Sequence, residues 1–161
     1  MKSLKTLVCV ASFAMCFGAA SMANAAWISP EGAFSTSPGT IKVKSPSSFG
    51  AEVTCGITFT GTVSGGVASI NGATLTGGGL CALPKLTNLP WVLYAGSATT
   101  GTVTNVGYDI TSIPSTHCGP TPITVAWNPS TKTLSATNQA LSGNCTVTSL
   151  SVDAPSLTVN P

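Results

Sequence analysis

The sequence predicts an all-β, single-domain protein: an antiparallel β-sandwich or barrel-like fold carrying two disulfide-stapled hairpin units. Three observations carry this reading. Apolar residues alternate with threonine over short runs, as in Ile57, Phe59 and Val63 against Thr58, Thr60 and Thr62, the period-two pattern of a strand with one buried and one wet face. Turn residues separate the runs at regular intervals, and no window shows a convincing amphipathic helix. Two segments of similar layout are each closed at both ends by cysteine, Cys55 to Cys81 and Cys118 to Cys145.

Taken in chain order, the first element is not part of the fold. Lys2 and Lys5 precede an apolar run from Leu7 to Ala20 and then Ala23-Asn24-Ala25, the layout of a secretory signal peptide with a small-residue cleavage site. The domain is therefore expected to span 26–161, secreted or associated with the cell surface. No later segment approaches the ~20 apolar residues of a membrane-spanning helix. A lipid anchor on Cys16 is disfavoured because Met15 stands where a small residue is needed.

Strand runs follow at Ala33 to Ser37, Thr40 to Val43 and Glu52 to Thr54, the last leading into the Cys55 segment. After the Ser64-Gly65-Gly66 turn, Ala68 and Ile70 lie on one parity and Ala73 and Leu75 on the other, so a bulge or tight turn is expected at Asn71-Gly72. Trp91 to Tyr94 has apolar residues on both parities and predicts a strand buried on both faces. Thr102 to Ile110 is next. Ile123, Val125 and Trp127 alternate with Thr124 and Ala126, Asn128 to Lys132 forms a turn, and Thr146 to Val152 and Leu157 to Val159 complete the set. The prolines fall between runs or at their edges, where they are tolerated.

With Cys9 and Cys16 inside the signal peptide, an even set remains for an oxidising compartment. Cys55, Cys81, Cys118 and Cys145 permit three pairings. Both bracketed segments begin Cys-Gly, run out, turn, run back and reach a glycine-containing link before the second cysteine. This favours Cys55 with Cys81 and Cys118 with Cys145.

Charge excludes several functions. Lys2 and Lys5 leave with the signal, and Lys42, Lys44, Lys85 and Lys132 then balance Glu31, Glu52, Asp109 and Asp153, with no arginine. A neutral chain without a basic cluster offers no footing for nucleic acid. Missing like-charge repulsion favours self-association instead.

The search for chemistry returns no catalytic, cofactor-binding or metal-binding candidate. The carboxylates are scattered, His117 is the one histidine, and no CxxC pair is present. His117 precedes Cys118, but a cysteine in a disulfide is not a nucleophile. Gly77-Gly78-Gly79 lacks the lysine and helix of a phosphate loop and reads as a flexible link. The candidate binding residues are the aromatics Trp27, Trp91 and Tyr94, with Trp127 assigned to the core.

The leader MKSLKTL...FAMCFGAASMANA, the unit CGITFTGTVSGGVASINGATLTGGGLC, the LPW triplet and the CGP before a strand together resemble the PraB-type protein activators of alkane oxidation, small exported proteins of Gram-negative bacteria. The resemblance runs over the whole chain and implies an exported, non-enzymatic accessory to hydrocarbon use, meeting a hydrophobic substrate or cell-surface components. Two other functions fit the composition: a subunit of an extracellular fibre or biofilm matrix assembling through strand edges, and a carbohydrate-binding sandwich. The last predicts coplanar aromatics exposed on one face.

Overall fold

The structure, a computed structural model, describes residues 25–161; the expected signal peptide, apart from its last residue, lies outside the described residues. Twelve strands account for most of the rest: β1 (Trp27–Ser29), β2 (Gly32–Ser35), β3 (Gly39–Lys44), β4 (Val53–Ser64), β5 (Val67–Thr76), β6 (Lys85–Leu86), β7 (Trp91–Ala95), β8 (Thr100–Ile110), β9 (Thr116–Asn128), β10 (Thr133–Leu141), β11 (Cys145–Asp153) and β12 (Thr158–Asn160). The described residues contain no α-helix, only short 3-10 turns at Pro46–Ser48 and Gly79–Ala82.

Of the two architectures expected, the molecule adopts the barrel. β3, β4, β5, β7, β8, β9, β10 and β11 pair antiparallel in chain order, and β11 returns to β3 to close the ring. A ring of this size has an interior just wide enough for side chains to fill. Phe59, Ile70, Trp91, Ile123, Leu134 and Leu150 fill it, while the outward positions of the same strands are mostly threonine and serine. A barrel embedded in lipid carries its apolar band outside; here the polarity is the reverse.

The alternation is strict where threonine supplies it. Thr58 stands opposite Thr74, Thr62 opposite Ser69 and Thr102 opposite Thr124 on the outer surface. The parity flip in β5 is a bulge, as expected: Thr60 pairs with Gly72 and Gly61 with Ile70, leaving Asn71 unpaired.

One strand departs from expectation. β7 is not buried on both faces: Trp91 and Leu93 point into the core, Val92 is half-buried and Tyr94 is exposed. Its outer face carries no covering layer, so apolar residues on both parities reflect an exposed tyrosine and a partly covered valine.

Two edges are shared end to end. β2 and β3 take successive lengths of one edge of β4, and the break between them is closed by buried Thr36, whose hydroxyl accepts from the Phe59 N–H at 2.9 Å while its own N–H donates to Phe59 O at 2.9 Å. β7 and β6 likewise divide one edge of β8. The antiparallel pair β1 and β12 lies across one mouth of the barrel as a lid, with Ile28 and Leu157 buried beneath it.

Both staples form as the layout favoured. Cys55 and Cys81 are bonded with Cα atoms 5.6 Å apart, and Cys118 and Cys145 with Cα atoms 5.8 Å apart. The first ties β4 to the turn beyond β5; the second ties β9 to the first residue of β11.

Candidate functional site

The mouth opposite the lid is ringed by the β3–β4, β8–β9 and β10–β11 connections and by the start of the 77–90 segment. Two of these connections are fastened together. The Ser47 N–H donates to Thr116 Oγ1 at 2.9 Å, and the Ser47 hydroxyl donates to the Pro114 carbonyl at 2.6 Å. Ser48 secures the base of its own turn, its hydroxyl donating to Ala51 O at 2.7 Å and accepting from the Ser45 N–H at 3.2 Å.

What these bonds hold up is apolar. Phe49, two residues from Ser47, is 87% exposed, and Ile113, beside Pro114, is 99% exposed. Phe49 also has φ 52° and ψ 34°, a left-handed conformation unfavourable for a bulky side chain. Four of the other five non-glycine residues with positive φ among the described residues are asparagine, which tolerates that region. Stability alone favours asparagine or glycine at position 49, so the phenylalanine is not explained by folding. Leu80, Leu83 and Leu89 add further exposed apolar surface along the 77–90 segment.

A second feature opens in the barrel wall. β5 pairs with β7 only through Ala68, Ser69 and Ile70, so from Asn71 onward its outer edge has no strand beside it. The 77–90 segment stands off from this edge and leaves a groove of about 400 Å³ lined by Gly72, Ala73, Ala82, Lys85 and Leu89, with Leu75, Pro84 and Leu86 at its base. Those three basal residues also border an apolar cavity of about 60 Å³ inside the barrel, against Trp91 and Tyr108. Groove and cavity are thus two sides of one thin partition.

Tyr108 sits where the partition meets β8. It is the register partner of Leu86, and its buried hydroxyl has no hydrogen-bond partner. Burial pushes its pKa up, and the nearby Ser45 side chain offsets this only in part. The phenol stays protonated at physiological pH.

The sequence-derived candidates separate. Tyr94 is 49% exposed on the outer face of β7, and Trp27 is 46% exposed in the lid, whose strand β1 touches β7. Trp91 is buried, packs edge-on to Phe59 with ring centroids 6.4 Å apart, and donates its indole N–H to Thr87 O at 2.8 Å. As a surface-binding aromatic it is therefore corrected: Trp91 lines the interior, because its parity in β7 faces inward. Trp127 is in the core as expected. The cysteines of the candidate set are all consumed in the two disulfides. His117 is exposed and pairs with Asp109 across β8 and β9 at 3.1 Å, and the described residues hold no cluster of three or more His, Cys, Asp or Glu suited to a metal ion.

Phe49, Ile113 and the groove escaped sequence reading. The signal for Phe49 was faint: it precedes Gly50 in a Ser-Pro-Ser-Ser turn, where a large apolar residue has no core to serve. Ile113 gave a similar hint before Pro114.

These features define a disulfide-bonded up-and-down barrel with an apolar interior, a polar flank and an apolar tip. The chain belongs to the alkane oxidation protein activator PraA/PraB-like family, whose model matches residues 1–161. No curated protein and no solved structure matches it. No helix among the described residues is long and apolar enough to cross a membrane, and the two disulfides are consistent with an exported protein.

Proposed function

We propose that the protein is an exported, non-enzymatic accessory that promotes alkane oxidation by seating its apolar tip on hydrocarbon droplets or on apolar cell-surface material. The observation that carries this is the pair Phe49 and Ile113, raised on connections bonded to one another through Ser47. Alkanes barely dissolve, so their use is limited by contact between cell and droplet. A stapled barrel adsorbs at such a boundary without unfolding, and its threonine-rich flank keeps the far side wet. Adsorption then scales with the apolar area presented, at roughly 25 cal/mol per Å².

The other readings have less support. Fibre assembly by strand addition needs free edges, and a closed ring removes most of them. Carbohydrate stacking needs exposed coplanar rings, and burial of Trp91 and Trp127 weighs against it.

The test adds purified oxidised protein to a deletion strain on hexadecane and on a soluble carbon source, with oil-water interfacial tension measured in parallel. Rescue on hexadecane together with lowered tension is expected. Rescue with unchanged tension would rule out adsorption as the mechanism. Normal growth of the deletion strain on both sources would move the assignment to a matrix subunit.

A further inference from the structure

Main-chain groups make the groove beside β5 more polar than the cavity within the barrel, since Lys85 carries the only polar side chain among the residues lining the groove. Register shows which groups these are. Thr36 bonds to both the N–H and the C=O of Phe59, so the Phe59 backbone is turned away from β5. Bonded and non-bonded positions alternate along an antiparallel pair. Thr58 faces Thr74, while Ile57 and Phe59 face Leu75 and Ala73. Thr74 therefore exchanges bonds with Thr58, and Ala73 and Leu75 aim their N–H and C=O groups at the groove.

The far wall is built the same way. The Thr87 N–H donates to Gly107 O at 3.0 Å, so Thr87 and Lys85 face β8, and Leu86 between them presents its backbone to the groove. Among the described residues no backbone hydrogen bond joins 71–76 to 77–90. Two bare strand edges thus face each other across an open slot. Its floor is apolar, with Ala73, Leu75 and Leu86 half-buried, and Thr74 and Lys85 stand exposed on the outer side. An unpaired edge of this kind is a template for another strand.

We propose that this slot binds an extended segment of another protein, added antiparallel to β5, with apolar side chains on one parity and an acidic residue on the other. Main-chain bonds to Ala73, Leu75 and Leu86 hold such a segment, and its alternate side chains settle on the apolar floor. The acid follows from charge. Lys85 is the one charged residue of the groove and has no ion-pair partner among the described residues. Its register partner Asp109 is engaged by His117 at 3.1 Å. A second copy of this chain is a poor donor. The slot is walled on both sides and admits only a strand free along both edges, whereas each ring strand is already paired with two neighbours. The inference goes beyond adsorption by the tip and does not depend on it.

The experiment titrates the purified oxidised protein with the peptide acetyl-TVDVTV-amide and follows amide hydrogen exchange. Binding is expected to protect the amides of Ala73, Leu75 and Leu86 and to leave those of Ala68 to Ile70, already beside β7, unchanged. The same peptide N-methylated at its two central residues loses one donor toward each wall and is expected to bind at least ~10-fold more weakly. Replacing its acid by lysine should weaken binding roughly 2- to 5-fold, and Lys85→Gln should erase that difference. Ala73→Pro removes an edge N–H that β4 does not use, so it should weaken binding several-fold in a protein that still folds; if it fails to fold, the N-methylated peptide decides on wild type. No binding of the acidic peptide, equal affinity for its N-methylated form, or protection confined to other strands would each overturn the proposal. Protection of Ala73 and Leu75 that grows with protein concentration alone would also overturn it, by making a second copy the occupant.

Discussion

Replacing Phe49 with asparagine should move stability and function in opposite directions. The backbone at Phe49 sits at φ 52° and ψ 34°, where an ordinary side chain pays about 1–2 kcal/mol relative to the right-handed region. Asparagine relieves part of that strain, so a gain near ~1 kcal/mol is expected, a rise of about 3 °C for a domain of this size. The ring is 87% exposed, so almost none of its burial energy is used in folding and almost all is available to an oil surface. Transferring a phenylalanine side chain from water is worth roughly 1.5–3 kcal/mol, so partition onto hexadecane should fall about 10- to 100-fold, at 1.4 kcal/mol per decade. Adding Ile113→Asn should compound the loss by a similar factor, as expected for sites that act additively. The assay is depletion of protein from the aqueous phase over droplets of known area, with thermal unfolding followed by circular dichroism. A Phe49→Asn protein that melts higher but partitions like wild type would refute the tip as the contact surface. One that melts lower would refute the strain argument.

Three further outcomes test the frame. Removing either disulfide as a pair of alanines should cost about 3.5 kcal/mol by the chain-entropy estimate for loops of this length, the separations being 26 and 27 residues; denaturant titration measures it, and only Cys55→Ala with Cys81→Ala should open 77–90 to protease, since Cys81 anchors that segment. Gly143→Ala places a Cβ onto the His117 carbonyl oxygen at φ +88°, whereas Gly50→Ala at φ +76° meets open space; the first should lose about 3 kcal/mol or more and the second about 1–2 kcal/mol, and equal losses would show that the His117 contact is not limiting. The Thr148 hydroxyl, and behind it Lys42 at 3.5 Å, hold the Glu52 carboxyl below its ordinary value of 4.5; because the folded pKa is the lower one, this contribution is present above 4.5 and lost as pH falls through the folded value, so Glu52→Gln should flatten the acid limb of the stability curve by slightly lowering stability at neutral pH and leaving it unchanged at low pH.

The parts of this fold that were legible in the sequence are those set by neighbours in the chain. Threonine alternation located most strands, the parity change exposed the bulge at Asn71, and the matched cysteine brackets identified both staples. Closure was not legible, because pairing of β3 with β11 joins segments from opposite ends of the domain with no local mark. β1 and β6 are too short to show a period, and Trp27, read only as a candidate binding aromatic, belongs to a lid strand. The candidate site was harder still. Trp91 was ambiguous because parity alone does not say which face is covered, and the groove exists only because β5 outruns β7. A serine reaching across two connections to raise Phe49 and Ile113 is a tertiary event that no window of sequence contains.

The ring closes on its last member. A chain that emerges amino end first, from a ribosome or through a membrane pore, presents β3 and β4 early, but the free edge of β3 has no mate until β11 follows, and β1 has none until β12 does. Half-emerged chains therefore have no closed interior to bury and no lid to hold. Long-range pairing of this kind delays folding, and in the proposed export the delay would keep the chain threadable until nearly all of it had passed. In the proposed export its cysteines would emerge in the order 55, 81, 118 and 145, so pairing each with the next to arrive would yield the native set.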